Sequence, residues 1–315
     1  MRALHVPAAG APPELGDLPI PQVAPGQVLI KVKAAGLNPF DNAIAAGIMA
    51  DRVPHEYPLV LGRDAAGVVA AVGEGVDHVK PGDEVFGHVL FAPPVQAGTL
   101  AEYALLPAAT VVVKPAGLDF AAAAALPLAA AAAAAAVDHV DPQPGQVALV
   151  NGATGGVGRY VVQMLAARGV TVVATGTEAD AVPLVALGAT TVVDYTTGSV
   201  ANRVRATYPD GVDALINLVG NTPAEIPLDA VRKDGTVATT TMVPDADIFA
   251  AAGLTGATVF AHPVRETTAP LAEQAAAGAL SIDVHTVLRL ERATEGLATL
   301  AAGNARGKIV VTVGD

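Results

Sequence analysis

No cysteine occurs among the 315 residues, so neither a disulfide framework nor a thiolate metal site is open to this chain. Serine is nearly as scarce: Ser199 and Ser281 are the two present, neither lies in a G-x-S-x-G turn, and serine hydrolase chemistry is not expected. Basic residues are outnumbered, 18 Lys and Arg against 30 Asp and Glu, for a formal net charge of −12, with no basic cluster interleaved with aromatics. Nucleic acid and membrane surfaces reward a basic face, so neither is an expected partner. The seven histidines include no H-x-x-x-H pair, and His78 and His88, flanking the Pro81–Gly87 turn, read as solvated loop side chains, so no metal is expected. The opening Met1-Arg-Ala-Leu-His-Val alternates like a strand and lacks the apolar core of a signal peptide, which makes the cytoplasm the expected location.

One uncharged run, Phe120 to Val137, imitates a membrane span in length. Its residues are mostly alanine, which carries little transfer energy and is the best helix former, and Pro127 interrupts it. A buried helix following Pro127 is the expectation.

The most informative stretch present is Val147-Ala-Leu-Val-Asn151-Gly-Ala-Thr-Gly-Gly-Val-Gly158, an apolar strand entering a glycine-rich turn. Ala153, Gly155 and Gly158 hold the three positions of the G-x-G-x-x-G spacing, and Val161 to Ala167 continue as an apolar helix. Small residues let backbone approach a pyrophosphate, and the helix N-terminus offers unpaired N–H groups to its charge. The spacing alone is a weak signal, and context strengthens it. Strand-like runs at Thr171–Thr175, Thr190–Tyr195, Asp213–Val219 and Gly235–Thr240 are separated by helix-length segments at Ala179–Leu187 and Val200–Thr207. That alternation describes an α/β fold, a doubly wound parallel Rossmann sheet.

The first hundred or so residues differ. Val28–Lys33, Ala66–Val72 and Asp83–Gly87 are short strands punctuated by Gly and Pro, as in a small β-barrel. The expected organisation is a barrel domain over 1–118, a dinucleotide-binding domain over 119–260, and a segment 261–315 that returns to the first domain through Lys308–Val313.

Seven ordered motifs carry a resemblance that spans nearly the whole chain. They are Ala35-Gly-Leu-Asn-Pro-Phe-Asp41, Leu61-Gly-Arg-Asp-Ala-Ala-Gly67, Val72-Gly-Glu-Gly-Val76, Pro81-Gly-Asp-Glu-Val-Phe-Gly87, Ala97-Gly-Thr-Leu-Ala-Glu-Tyr103, Asn151 to Gly158, and Gly307-Lys-Ile-Val-Val311. The chain resembles the zinc-free quinone oxidoreductase branch of the medium-chain dehydrogenase/reductase superfamily. The resemblance implies a GroES-like barrel split in sequence around the Rossmann domain, with an active site in the cleft between them. It further implies NADPH as hydride donor and a homodimer formed through an edge strand near Thr258 to Phe260. Zinc-dependent relatives need a cysteine where this chain has Asn38, and a His-Glu pair where it has Arg63-Asp64.

Without a metal, the site must set nicotinamide C4 against an electrophilic carbon, which suits quinones and α,β-unsaturated carbonyls better than plain alcohols. The catalytic candidates are Asn38, Asp41 and Arg63. Asn38 is either an amide donor at the nicotinamide or substrate carbonyl, or an Asn-Pro turn residue. Asp41 either orients a donor or caps a helix over Asn42–Ala46, and Arg63 either meets an anionic oxygen or forms an ion pair with Asp64 or another carboxylate. Tyrosines of related reductases are replaced by Ala43 and Met49, leaving water as a proton source. The cofactor-binding candidates are Gly155, Gly156, Val157 and Gly158 at the pyrophosphate, and Val219 and Gly220 on the nicotinamide side. Gly176 and Thr177 end a strand where NAD sites carry an acid, so NADPH is favoured although Glu178 and Asp180 follow closely; Thr177, Tyr195 and Arg159 are candidates for its 2′-phosphate, and Tyr195 reads equally as strand-end packing. Loops Ala45–Pro58 and Leu90–Ala97 would shape specificity. A zinc-free alcohol or ketone oxidoreductase and a non-catalytic NADPH-binding sensor stand as alternatives.

Overall fold

The computed structural model describes residues 1–48, 50–51, 53–220, 222–241 and 247–314. Met49 therefore lies outside the described residues. The chain forms two compact units, Met1–Ala129 with Pro263–Asp315, and Ala130–His262.

The first unit opens with β1 (Arg2–Val6), β2 (Glu14–Asp17), β3 (Gln27–Gly36), α1 (Pro39–Ala45), β4 (Leu59–Val60), β5 (Asp64–Val72), β6 (Glu84–His88), β7 (Tyr103–Pro107), β8 (Val112–Val113) and α2 (Phe120–Ala125). Helix α3 (Pro127–Val140) leads onward to β9 (Val147–Asn151), α4 (Gly156–Ala167), β10 (Thr171–Gly176), α5 (Ala181–Ala186), β11 (Thr191–Asp194), α6 (Val200–Thr207), β12 (Val212–Asn217), β13 (Val231–Thr239), α7 (Asp247–Ala251) and β14 (Thr255–Thr258). The chain then returns to the first unit with α8 (Arg265–Ala276), β15 (Val284–Arg289), α9 (Ala293–Ala301) and β16 (Lys308–Thr312).

In the first unit a seven-stranded sheet runs β15-β16-β3-β5-β6-β8, with β7 also on β3. Period-two alternation along β3 buries Val28, Ile30, Val32 and Ala34. Val28, Ile30 and Val32 pack with Leu37, Val69, Val85, Leu106, Ile309 and Val311 into one core. Strand β16 pairs antiparallel with β3, Val310 opposite Gly36, so residues almost three hundred positions apart share a ladder.

The alanine run divides into α2 and α3 at Leu126, with Pro127 opening the second helix where its missing N–H costs nothing. Ala123, Ala124 and Ala125 are fully buried, and α2 lies so close to β3 that a Cβ on Gly36 would come 2.2 Å from the carbonyl oxygen of Ala124. Small side chains here permit backbone contact between helix and sheet. No helix among the described residues is long and apolar enough to cross a membrane.

The second unit is a Rossmann sheet, all parallel, in the order β11-β10-β9-β12-β13-β14. Leu149, Val173, Leu215 and Val237 fill its core. Winding starts at β9, proceeds one way through β10 and β11, then the other way from β12, so a crevice opens beyond the carboxyl ends of β9 and β12. Several boundaries differ from the sequence expectation, two of them at the glycine turn and at β11. The helix begins at Gly156 rather than Val161, because the glycines themselves supply its first turn, and β11 stops at Asp194, leaving Tyr195 in a 3-10 turn.

Gly36→Ala is expected to destabilise the protein by ~1–3 kcal/mol through overpacking against α2, measured as a lowered urea midpoint. An unchanged midpoint would mean that α2 does not sit on β3 this closely.

Candidate active site

In the second unit, the chain leaves β9 through Gly152, whose φ of +89° is costly for any residue with a Cβ, and enters α4 at the N-cap Gly155. No side chain caps α4 and no acid lies in its first turn, so the positive end of the helix dipole is uncompensated. The glycines differ in what requires them. A Cβ on Gly158 would meet the Gly152 carbonyl oxygen at 2.3 Å, so packing alone demands glycine there. A Cβ on Gly155 would find nothing nearer than 3.6 Å, so packing does not demand glycine there. A nucleotide pyrophosphate fits this cradle.

Beneath the cradle, polar side chains end four of the apolar strands, a feature that the sequence reading passed over. Asn151 Nδ2 donates to Asn217 Oδ1 at 2.8 Å, Asn217 Nδ2 to Thr239 Oγ1 at 3.2 Å, and Thr175 Oγ1 to Asn151 Oδ1 at 3.3 Å. The Gly152 N–H in turn donates to Thr175 Oγ1 at 2.9 Å, which fastens the glycine loop to the ladder. All four side chains are buried, and their signal in the sequence was a polar residue at or next to the end of each apolar run.

The structure brings the predicted residues Gly155, Gly156, Val157, Gly158, Gly176, Thr177, Tyr195, Val219 and Gly220 to the carboxyl-end edge of this sheet. Thr177 is occupied: its N–H and hydroxyl both donate to Asp180 Oδ2 at 2.8 Å, and Asp180 is itself buried. Arg159 is also buried, with Nε donating to Thr154 O at 3.1 Å. Tyr195 is 46% exposed, so it is not packed at a strand end. Val219 is exposed, and Gly220 takes φ +83°.

In the first unit Asn38 and Asp41 come together: the Asn38 amide is not a free donor, and Asp41 does help cap a helix, as the third residue of its first turn. Helix α1 starts at Pro39, earlier than Asn42, and Asp41 within its first turn accepts the Asn38 backbone N–H at 2.8 Å through Oδ2. The Asn38 amide is committed at both ends, Nδ2 donating to Asp64 Oδ2 at 2.9 Å while Oδ1 accepts from Lys308 Nζ at 2.6 Å. Asp64, wholly buried, also accepts the Leu128 N–H at 3.2 Å and lies 2.7 Å from His88 Nδ1. His88 is thus a buried strand residue, correcting its reading as a solvated loop side chain. Burial pulls the Lys308 ammonium below the usual lysine range, with Asp64 and Asp41 opposing.

Arg63 makes no ion pair with Asp64. The Asp64 carboxylate is taken up by the cluster just described. Arg63 is 2% exposed, and its Nη1 reaches the carbonyls of Leu90 and Ala97 only at 3.4 Å. Its guanidinium stands 5.7 Å from the Phe91 ring centroid, and Phe91 meets Phe40 edge-on at 5.1 Å and His55 at 6.5 Å. Burial, with Asp41 opposing, lowers the Arg63 pKa, and burial followed by the Arg63 charge lowers that of His55. His55 and Phe91 lie in the two loops expected to shape specificity, and Lys308 in the last of the seven motifs, but none stood out singly, since only tertiary packing gathers them.

These residues do not fit a zinc ion. Arg63 and Lys308 are cations, Lys308 Nζ already stands 3.9 Å from the Asp64 carboxylate, and no group of three or more His, Cys, Asp or Glu side chains among the described residues could hold a metal.

Asp41 titrates abnormally. Burial, which outweighs the Asn38 hydrogen bond, raises its pKa from 3.8 to about 7, and its Oδ1 has no partner among the described residues. The folded state therefore holds a proton that the unfolded chain releases near pH 4, so this group's contribution to stability falls as pH rises from about 4 to about 7. At about 1.4 kcal/mol per pH unit the loss is of the order of 4 kcal/mol above pH 7. Asp41→Asn is expected to gain stability on wild type as pH rises from 5 to 8, read from urea midpoints, whereas parallel profiles would show that Asp41 ionises normally.

Comparison with known proteins accords with this geometry. The family model for the alcohol dehydrogenase GroES-like domain matches residues 24–116, and that for zinc-binding dehydrogenase matches residues 187–311. The mitochondrial NAD(P)H oxidoreductase of Mus musculus is 38% identical over 58% of this chain, and the alignment spans only 50% of that relative's length. The quinone oxidoreductase of Sus scrofa is 33% identical over 75% of this chain and 72% of its own. The solved quinone oxidoreductase of Coxiella burnetii superposes with a TM-score of 0.89 at 27% identity, covering 100% of this chain and 99% of that one. With the barrel, the Rossmann sheet and these relatives in agreement, the chain belongs to the quinone oxidoreductase branch of the medium-chain dehydrogenase/reductase superfamily.

Proposed function

We propose that this protein is an NADPH-dependent, zinc-independent oxidoreductase that transfers hydride to a quinone or an α,β-unsaturated carbonyl. The observation that carries the reading is the uncapped, acid-free N-terminus of α4 behind Gly155, where the fold itself does not require glycine. Gly155, Gly156, Val157 and Gly158 bind the pyrophosphate, and Val219 and Gly220 line the nicotinamide side. Bound NADPH supplies the hydride. The Thr175–Asn151–Asn217–Thr239 ladder holds the loop rigid, so that the nucleotide is oriented before reaction.

Preference for NADPH is supported by the lack of an acid at the end of β10, where Gly176 is followed by Thr177. Asp180 does not supply one, since its carboxylate is turned onto Thr177. Tyr195, exposed just beyond β11, offers its hydroxyl to the 2′-phosphate. On the barrel side, Asn38 and Asp41 act as positioning residues that fix α1 against Asp64 and Lys308, and Arg63 sets a positive charge near the oxygen that gains electrons. With the Asn38 amide already paired, water is the source of the second proton. The reading includes a homodimer formed through the outer edge of β14, which among the described residues pairs with β13 alone, next to Phe260 at 63% exposure.

The reading predicts that Gly155→Ala keeps the wild-type Tm but weakens NADPH binding at least ~10-fold, because its Cβ intrudes on ligand and not on protein. Gly158→Ala should lower the Tm as well. Wild-type protein should oxidise NADPH with 1,4-benzoquinone in stopped flow, unaffected by EDTA; nucleotide binding without oxidation across quinones and enones would instead make it a sensor. For the dimer, light scattering should show two chains for wild type and one for Ala257→Pro, and a monomeric wild type would refute that part.

A further inference from the structure

Arg63 carries a full positive charge into the barrel unit with no carboxylate in ion-pair reach among the described residues. The acids that could neutralise it are engaged or uncharged. Asp64 is consumed by Asn38, His88 and the Leu128 N–H, and Asp41 gives one oxygen to the Asn38 N–H and holds its proton up to about pH 7. A buried cation in native proteins is normally paired, because an uncompensated charge in a low-dielectric interior costs several kcal/mol. The long contacts to the Leu90 and Ala97 carbonyls leave most of the guanidinium's five donors unused.

Beside it lies a cavity of about 170 Å³. That is the volume of roughly six water molecules. Among the described residues of its lining Arg63 is the one charged side chain; Val89, Val95, Leu105 and Pro107 make its walls apolar, and Gln27 and Gln96 add amides. A single planar fork, with no second cation among the described lining residues, matches a monoanion, and a carboxylate accepts two parallel N–H bonds from it. A phosphate dianion would be left half neutralised.

We propose that this cavity is a subsite for a carboxylate carried by the hydride acceptor, so that the preferred substrates are small unsaturated carbonyl compounds bearing an acid group. The assignment rests on the reductase reading above. In the reaction, the hydride adds to the alkene carbon β to the ketone, water protonates the α carbon, NADPH becomes NADP⁺, and the carboxylate is unchanged.

Two measurements on the full chain test it. By calorimetry, benzoate should bind wild type at least ~10-fold more tightly than benzamide, and Arg63→Gln should abolish that difference while leaving NADPH affinity unchanged. Ala97→Leu, which narrows the cavity with Arg63 retained, should also weaken benzoate, so the test survives if Arg63→Gln fails to fold. In steady state, Arg63→Gln should raise the KM for 4-oxopent-2-enoate at least ~10-fold more than it raises that for neutral pent-3-en-2-one. Equal binding of benzoate and benzamide, or equal KM shifts for acid and neutral acceptors, overturns the proposal. If neither acceptor nor benzoquinone is reduced while benzoate still binds through Arg63, the reductase reading falls and the acceptor assignment falls with it, leaving an anion site alone.

Discussion

The buried carboxylate of Asp64 is the constraint around which the barrel unit is arranged. A charge with no access to water must be met by donors from the protein, and here they come from the segment after β3, from β6, from the start of α3 and, at longer range, from β16. Meeting that requirement draws Asn38, His88, Leu128 and Lys308 to one point. It also explains why the chain must return to the barrel at its end: Lys308, on the strand that pairs with β3, donates to the Leu37 carbonyl and the Asn38 amide. Removing one partner would leave the others buried and unpaired, so the cluster is stable as a whole and fragile in parts.

A second constraint is backbone approach. Gly36 lets α2 lie on β3, and Gly158 lets α4 close on the loop after β9. These two glycines serve packing. Gly155 does not, and that contrast separates glycines required by the fold from one at which the fold leaves room for a side chain.

Much of the fold was legible in the sequence because it is governed by local periodicity. Short β-branched runs at the spacing of a doubly wound sheet, and the glycine turn opening α4, follow from side-chain alternation and backbone sterics within a few residues. Boundaries were less legible: the apolar pattern suggested that the helix began at Val161, whereas Gly156 to Gly158 already form its first turn. The barrel-side site was read in part. Asn38, Asp41 and Arg63 stood out as residue types, but their partners did not, since Lys308 lies 270 positions from Asn38 and Asp64 lies 26 away.

By itself the sequence determined the order of elements, the glycine cradle and the absence of thiolate chemistry, all properties of residue type and near neighbours. Tertiary structure alone decided that His88 is buried, that the Asn38 amide is already paired, and that Arg63 has no counterion among the described residues. The physical reason is that pairing and desolvation depend on which distant side chains share a low-dielectric interior, and that information is not carried by any stretch of sequence short enough to read as a motif.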